Sequence, residues 1–182
     1  SSVFNILGVD NNHPSLVTND IVVRNNLFYD VSSATYAGTG RFVLMTGGPQ
    51  NITFDHNTVF NDGGSDVYAD SGPVTGFTFT NNIMQNNAWA IIGGNAGPGN
   101  STVTMYFSTG GLLQDNIIAG APASSYPSGN FYPASMSDVG FVDLAGGNYR
   151  LSSSSSYRGA ATDGADVGAN VDAIAAATGT IR

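Results

Sequence analysis

Arg24, Asp55 and His56 are the residues of this chain whose types could together do chemistry: a cation, a carboxylate and an imidazole. Such a set can take up and return a proton at a polar substrate if the chain brings the three together. They lie in two similar segments, NDIVVRNNLFYDV (19–31) and QNITFDHNTVFND (50–62). Aligned on Asn26 and Asn57, Arg24 and Asp55 share the position two residues before the asparagine, and His56 stands one before it. Two further segments, TGFTFTNNIMQNN (75–87) and TGGLLQDNIIAG (109–120), add Thr80 and Gln114 to the first row and Asn81 and Asp115 to the second, beside Asn25. Tyr29 and Phe60 fall three residues after the asparagine, and stacked exposed rings can hold a sugar face. The candidate catalytic residues are therefore Arg24, Asp55 and His56, and the candidate substrate-binding residues are Tyr29, Phe60, Asn81 and Asp115. The plain alternatives are an exposed Arg24–Asp55 cross-strand pair worth under about 1 kcal/mol, and aromatic rings lying under a loop or the C-terminal tail.

The elements that would position these rows are short strands. The aligned asparagines, Asn26, Asn57, Asn82 and Asn116, are 31, 25 and 34 residues apart. Three residues before each stands Val23, Phe54, Phe79 or Leu113, and two after stands Phe28, Val59, Met84 or Ile118. This period-2 alternation predicts half-buried strands on either side of a bend at the asparagine. A left-handed conformation at the bend would suit asparagine, and coils stacked at about 4.8 Å would let the amides hydrogen-bond up and down the axis. Between the repeats run the apolar stretches 3–8, 42–48, 67–72 and 90–94, each closed by glycine. A repeat of this length with variable insertions is the signature of a solenoid. The insertions fall at 9–20, 49–50 and 95–109, where STVTMYF could be an extra strand.

Composition agrees. The 182 residues suffice for one domain. All thirteen acidic residues are Asp and all five basic ones Arg; with Glu and Lys absent and 24 Gly present, strands and tight turns are favoured over helices. The fold expected is all-β, a right-handed parallel β-helix of four to five coils, with coils over 1–120 and a last coil plus closing segment of the same domain over 121–182. A net charge of −8 with scattered arginines argues against nucleic acid. No apolar run approaches the ~18–20 residues that span a bilayer. The opening SSVFNILGVD lacks the basic segment of a signal peptide. Zero cysteine excludes disulfides and thiolate metal sites.

From about residue 121 the pattern changes. Gly140-Phe141-Val142-Asp143, then Gly147-Asn148-Tyr149-Arg150-Leu151-Ser152, then Ala161-Thr162-Asp163-Gly164-Ala165-Asp166-Val167-Gly168-Ala169 resembles the closing motif of secreted right-handed parallel β-helix proteins of the pectate-lyase-like superfamily. The resemblance implies a secreted or cell-surface, carbohydrate-associated domain that binds or processes an extended polysaccharide or cell-surface glycan. If enzymatic, it would be a polysaccharide lyase, with an Arg or Lys proton abstractor beside Ca²⁺-holding aspartates, or a glycoside hydrolase with paired Asp carboxylates roughly 5–9.5 Å apart. Neither the hydrolase Asp motifs nor the lyases' acidic strand is found, which supports the rival expectation of a non-catalytic structural or adhesion segment.

Weaker signals remain. Asp62, Asp66 and Asp70, with Gly63 and Gly64, suggest a loop for Ca²⁺ or, more plainly, a solvated acidic turn; no other cofactor or metal is expected. His13 reads as a solvated turn residue unless it pairs with His56 on a metal. Asn51 and Asn100 head glycosylation sequons. VDAIAAA (171–177), stopped by Gly179, reads as a helix capping the last coil. Strand character begins at Val3 with no cap, so an end-to-end contact through the first coil, or an upstream continuation, is expected.

Overall fold

A computed structural model describes residues 2–10, 12–13 and 15–179. Each repeat becomes two strands meeting at its asparagine, and each glycine-closed stretch becomes a third. The first coil is β1 (Ser2–Leu7), β2 (Asn19–Arg24) and β3 (Leu27–Val31), followed by the short helix α1 (Ser33–Tyr36). The second is β4 (Arg41–Thr46), β5 (Gln50–Asp55) and β6 (Thr58–Asn61); the third is β7 (Ser65–Asp70), β8 (Thr78–Thr80) and β9 (Ile83–Gln85). The fourth is β10 (Trp89–Gly93), helix α2 (Asn100–Tyr106), β11 (Leu112–Gln114) and β12 (Ile117–Ala119). Equivalent strands pair in parallel in three four-stranded sheets, ordered β1-β4-β7-β10, β2-β5-β8-β11 and β3-β6-β9-β12. The chain is thus a parallel β-helix of four coils.

The inward columns follow the sequence alignment. Val23 pairs with Phe54, Phe54 with Phe79 and Phe79 with Leu113. Phe54 and Phe79 are wholly buried, each such ring contributing about 1.5–3 kcal/mol. Ring contacts run the length of the axis, with centroids 5.1 Å apart for Phe42–Phe54 and 4.4 Å for Phe77–Phe107.

The asparagine ladder is continuous. Asn57 Oδ1 accepts from the backbone N–H and Nδ2 of Asn26, both at 3.1 Å, and the same double contact joins Asn57 to Asn82 and Asn82 to Asn116. Asn130, which the repeat spacing did not reveal, is a fifth rung: its Oδ1 accepts from Asn116 N at 3.0 Å and Nδ2 at 2.9 Å. The left-handed conformation, expected at the ladder asparagine, falls one residue earlier. Asn25, His56, Asn81 and Asp115 have φ of 54°, 51°, 59° and 53°.

The C-terminal end of the solenoid is plugged. STVTMYF forms most of α2 rather than a strand. Tyr106 and Phe107 are buried there, Phe131 bridges to Ile117, and the Tyr126 hydroxyl donates to Asn86 Oδ1 at 2.7 Å while accepting from Ala90 N–H at 3.1 Å. The expected cap, α3 (Val171–Thr178), lies elsewhere. After the antiparallel hairpin of β13 (Phe141–Asp143) and β14 (Asn148–Leu151), the chain runs back along one flank, so that Asn170 N–H donates to Asn25 Oδ1 of the first coil and α3 packs on β14. Helix α3 starts with the Asn170 side chain accepting from Ala173 N–H and ends at Gly179. The expected insertion over 9–20 includes Asn11 and Pro14, and the expected open start includes Ser1; these three lie outside the described residues.

Candidate functional site

The corner between the β2-type and β3-type sheets gathers the acid–base residues, because parallel register sets Arg24 beside Asp55. Arg24 Nε lies 2.8 Å from Asp55 Oδ2. The other carboxylate oxygen accepts from Thr80 Oγ1 at 2.9 Å and Asn81 Nδ2 at 2.8 Å. Asp55 is thereby engaged on both oxygens.

The returning C-terminal segment covers this corner. Asn81 Oδ1 accepts from Thr162 N–H and its Nδ2 donates to Thr162 Oγ1, both at 2.8 Å. Gly168 N–H donates to Asn81 O at 2.8 Å, and Ala169 N–H to Thr58 Oγ1 at 3.0 Å. Gly168 is required where it stands: its φ is 89°, and a Cβ there would meet Ile83 Cδ1 and come within 2.7 Å of Thr58 Oγ1.

His56, only 8 % exposed, lies beneath this strap. Its Nδ1 is 3.2 Å from Gly168 O, and since a carbonyl only accepts, Nδ1 carries a proton. Nε2 is 3.3 Å from Asp163 Oδ2, near enough for an ion pair although too bent for a hydrogen bond. Asp163 also lies 3.7 Å from Arg24 Nη2. The Ala165 backbone N–H and the His56 imidazole hold the Asp163 carboxyl below the usual carboxylate range.

Between strap and corner lies a cleft of about 570 Å³ that includes Arg24, His56, Arg150, Arg158, Asp163, Asp166 and Asp172. Each arginine there has a carboxylate partner: besides Arg24, Arg150 Nε is 2.7 Å from Asp172 Oδ1 and Arg158 Nε is 3.5 Å from Asp166 Oδ2. The three aspartates from the closing segment were absent from the expected site. Their recurrence over ten residues shortly after Arg150 and Arg158 was the signal available.

The remaining candidates separate. Asn81 is 2 % exposed and serves as the strap's anchor. Asp115 lies on the fourth coil outside the cleft, its N–H donating to Gly129 O. Tyr29 is 64 % exposed, whereas Phe60, expected to share its outward row, lies beneath the β13–β14 hairpin with its ring centroid 4.2 Å from Tyr149. His13 pairs with Asp10 at 3.2 Å, not with His56.

Asp62, Asp66 and Asp70 do not converge. Asp62 caps α1, accepting from Ser32 Oγ at 2.6 Å and Ser33 N–H, which lowers its carboxyl to about 2. Asp70 accepts from Ser71 N–H at 2.7 Å. Asp66 is wholly buried with neither oxygen hydrogen-bonded among the described residues, and burial raises its pKa well above the ordinary value. The Asn61 amide donates instead to Gly40 O at 2.9 Å. Asp66 occupies the column held by Phe42 above and Ala90 below, one residue before the paired Val43, Val67 and Ile91. Aligning DVYA with FVLM and AIIG would have revealed this inward position. Among the described residues, no group of three or more His, Cys, Asp or Glu is placed to hold a metal ion, and no helix is long and apolar enough to cross a membrane.

Compared with known proteins, the chain matches no family model, no curated protein and no solved structure.

Proposed function

We propose that this chain is a non-catalytic structural or adhesion segment carried outside the cytoplasm, as in the pectate-lyase-like β-helix proteins it resembles. One observation carries the reading: the cluster that joins acid, base and cation is occupied by the chain's own closing segment. Asp55 has both oxygens engaged, His56 is buried under Gly168, and Arg24 is shared between two carboxylates. A working general base needs a free lone pair within reach of substrate; both Asp55 oxygens are engaged, and His56 Nε2, which makes no hydrogen bond among the described residues, is buried against Asp163.

Backbone geometry gives an independent reason for the residue types. Asn, Asp and His are the non-glycine types enriched in the left-handed region, and these types fill the row Asn25, His56, Asn81, Asp115. His56 thus has a conformational reason to be there that requires no chemistry.

The test is incubation with a panel of neutral and acidic polysaccharides, scoring new reducing ends and the ultraviolet absorbance of unsaturated uronates. No turnover is expected. Turnover abolished by Arg24→Ala or Asp55→Ala would replace this reading with an enzymatic one.

A second reading, binding of a polysaccharide or cell-surface glycan along the same flank, is favoured by the cleft, which arginine–aspartate pairs line beside the corner. Oligosaccharides that raise the melting temperature, with the gain lost in Arg150→Ala, would support it.

A further inference from the structure

The ladder has a direction, and its first rung is incomplete. Every later rung receives two hydrogen bonds on its Oδ1 from the asparagine one coil nearer the N-terminus. Every later rung also sends its Nδ2 to the carbonyl three residues before that asparagine: Asn57 to Val23 O, Asn82 to Phe54 O, Asn116 to Phe79 O and Asn130 to Leu113 O. Asn26 has neither contact among the described residues. Among the described residues its Oδ1 receives no donor, and its Nδ2, besides donating to Asn57 Oδ1, reaches only Arg24 O of its own strand at 2.9 Å, a contact that Asn116 makes in addition to its bond across the coils.

Two other features of the same end agree. Strands β1, β2 and β3 are the terminal members of their three sheets, each with one edge unpaired among the described residues. Phe4, Ile21 and Phe28 are only partly buried, while Ile52, Phe54 and Val59 in the second coil are wholly buried. Hydrogen-bonding edges, an apolar centre and a vacant amide acceptor are therefore presented together, in the arrangement that each coil shows to the one stacked on it.

We propose that this face seats one further parallel coil, carried on a longer form of the same polypeptide, whose ladder position is an asparagine. The incoming asparagine would donate its N–H and Nδ2 to Asn26 Oδ1, and Asn26 Nδ2 would move from Arg24 O to the new coil's carbonyl three residues before that asparagine. A second copy cannot supply these contacts head to tail, because the C-terminal end is filled by α2, Phe107 and Tyr126. The proposal rests on the reading of the chain as a structural solenoid.

The experiment appends a coil to the full chain. A copy of residues 41–64, which holds one coil and its exit turn, is placed directly ahead of Ser2, with and without N57A in the copy. With asparagine present, the amides of β1–β3 and of the appended strands gain at least about tenfold in hydrogen-exchange protection, and the alanine version loses most of that gain. An appended coil that stays unprotected, or equal protection from both versions, overturns the proposal. So does a concentration-dependent dimer of the original chain that itself protects β1–β3, since the occupant would then be a second copy. Polysaccharide turnover would sink the structural reading while leaving this result untouched, so the two failures are distinguishable.

Discussion

The two ends of the solenoid solve the same problem in opposite ways. At the C-terminal end the last coil is filled from below, with Tyr106, Phe107 and Tyr126 buried and the ladder continued to Asn130. At the N-terminal end the matching column stops at Phe4 and Phe28, both partly buried, and the ladder stops at Asn26. The difference teaches that a repeat is stabilised by its neighbours on both sides: the same asparagine is a satisfied buried amide in the middle and a half-used polar group at the edge.

The sharpest way to break this comparison is to delete a rung at each end. Asn116→Ala takes away the acceptor of the buried Asn82 N–H and Nδ2 and the donor to Phe79 O, and leaves Asn130 Oδ1 with the backbone N–H alone. A loss of about 3–6 kcal/mol in urea unfolding is expected. Asn26→Ala should lose under about 1 kcal/mol, because its Oδ1 faces an open edge and Asn57 Oδ1 keeps the backbone N–H of residue 26. Equal losses would mean that the first rung is completed after all.

Next in size is the strap that joins the ends. Gly168→Ala forces a side chain into a left-handed backbone position against Ile83 and Thr58, with an expected destabilisation of about 2–3 kcal/mol and earlier proteolysis near residue 168. The interior offers a change of opposite sign. Burial raises the Asp66 pKa, so its folded form holds a proton that the unfolded chain releases. The stability this group contributes is full below the ordinary aspartate value of 3.8 and is lost as pH rises toward the folded value. Asp66→Asn should therefore stabilise by about 1–2 kcal/mol at neutral pH and not at pH 3. The smallest effect belongs to the exposed end of the strap. Asp163 is lowered, so its contribution is present above 3.8 and lost as pH falls through the folded value. Asp163→Asn should cost under about 1 kcal/mol at pH 7 and flatten the acid limb of the stability curve.

Most of the fold was legible in the sequence because a stacked coil repeats its inward positions, and Phe54 and Phe79 must match wherever the chain pairs in parallel. Asn130 was hidden because the last rung is reached after only 14 residues, without the usual strands before it. The placement of α3 was misjudged for a different reason: a helix that caps an edge and a helix that ends a strap have the same local pattern, and only the 145-residue contact from Asn170 to Asn25 distinguishes them. Within the site, the Arg24–Asp55 pair was readable from register. The strap over it was not, since Thr162 and Gly168 contribute mainly backbone groups whose destination no local pattern encodes.

The strap also bears on the order in which the molecule is made. In a solenoid each coil can settle as soon as its neighbour exists, so synthesis and folding advance together. Here bonds at 81, 111, 112 and 145 residues of separation tie the closing segment to Asn81, Thr58, His56 and Asn25. Such distant contacts form late and slow the final step. The early coils must therefore hold their shape on the ribosome with a bare flank, and that flank locks only after the strap through Asn170 has been made.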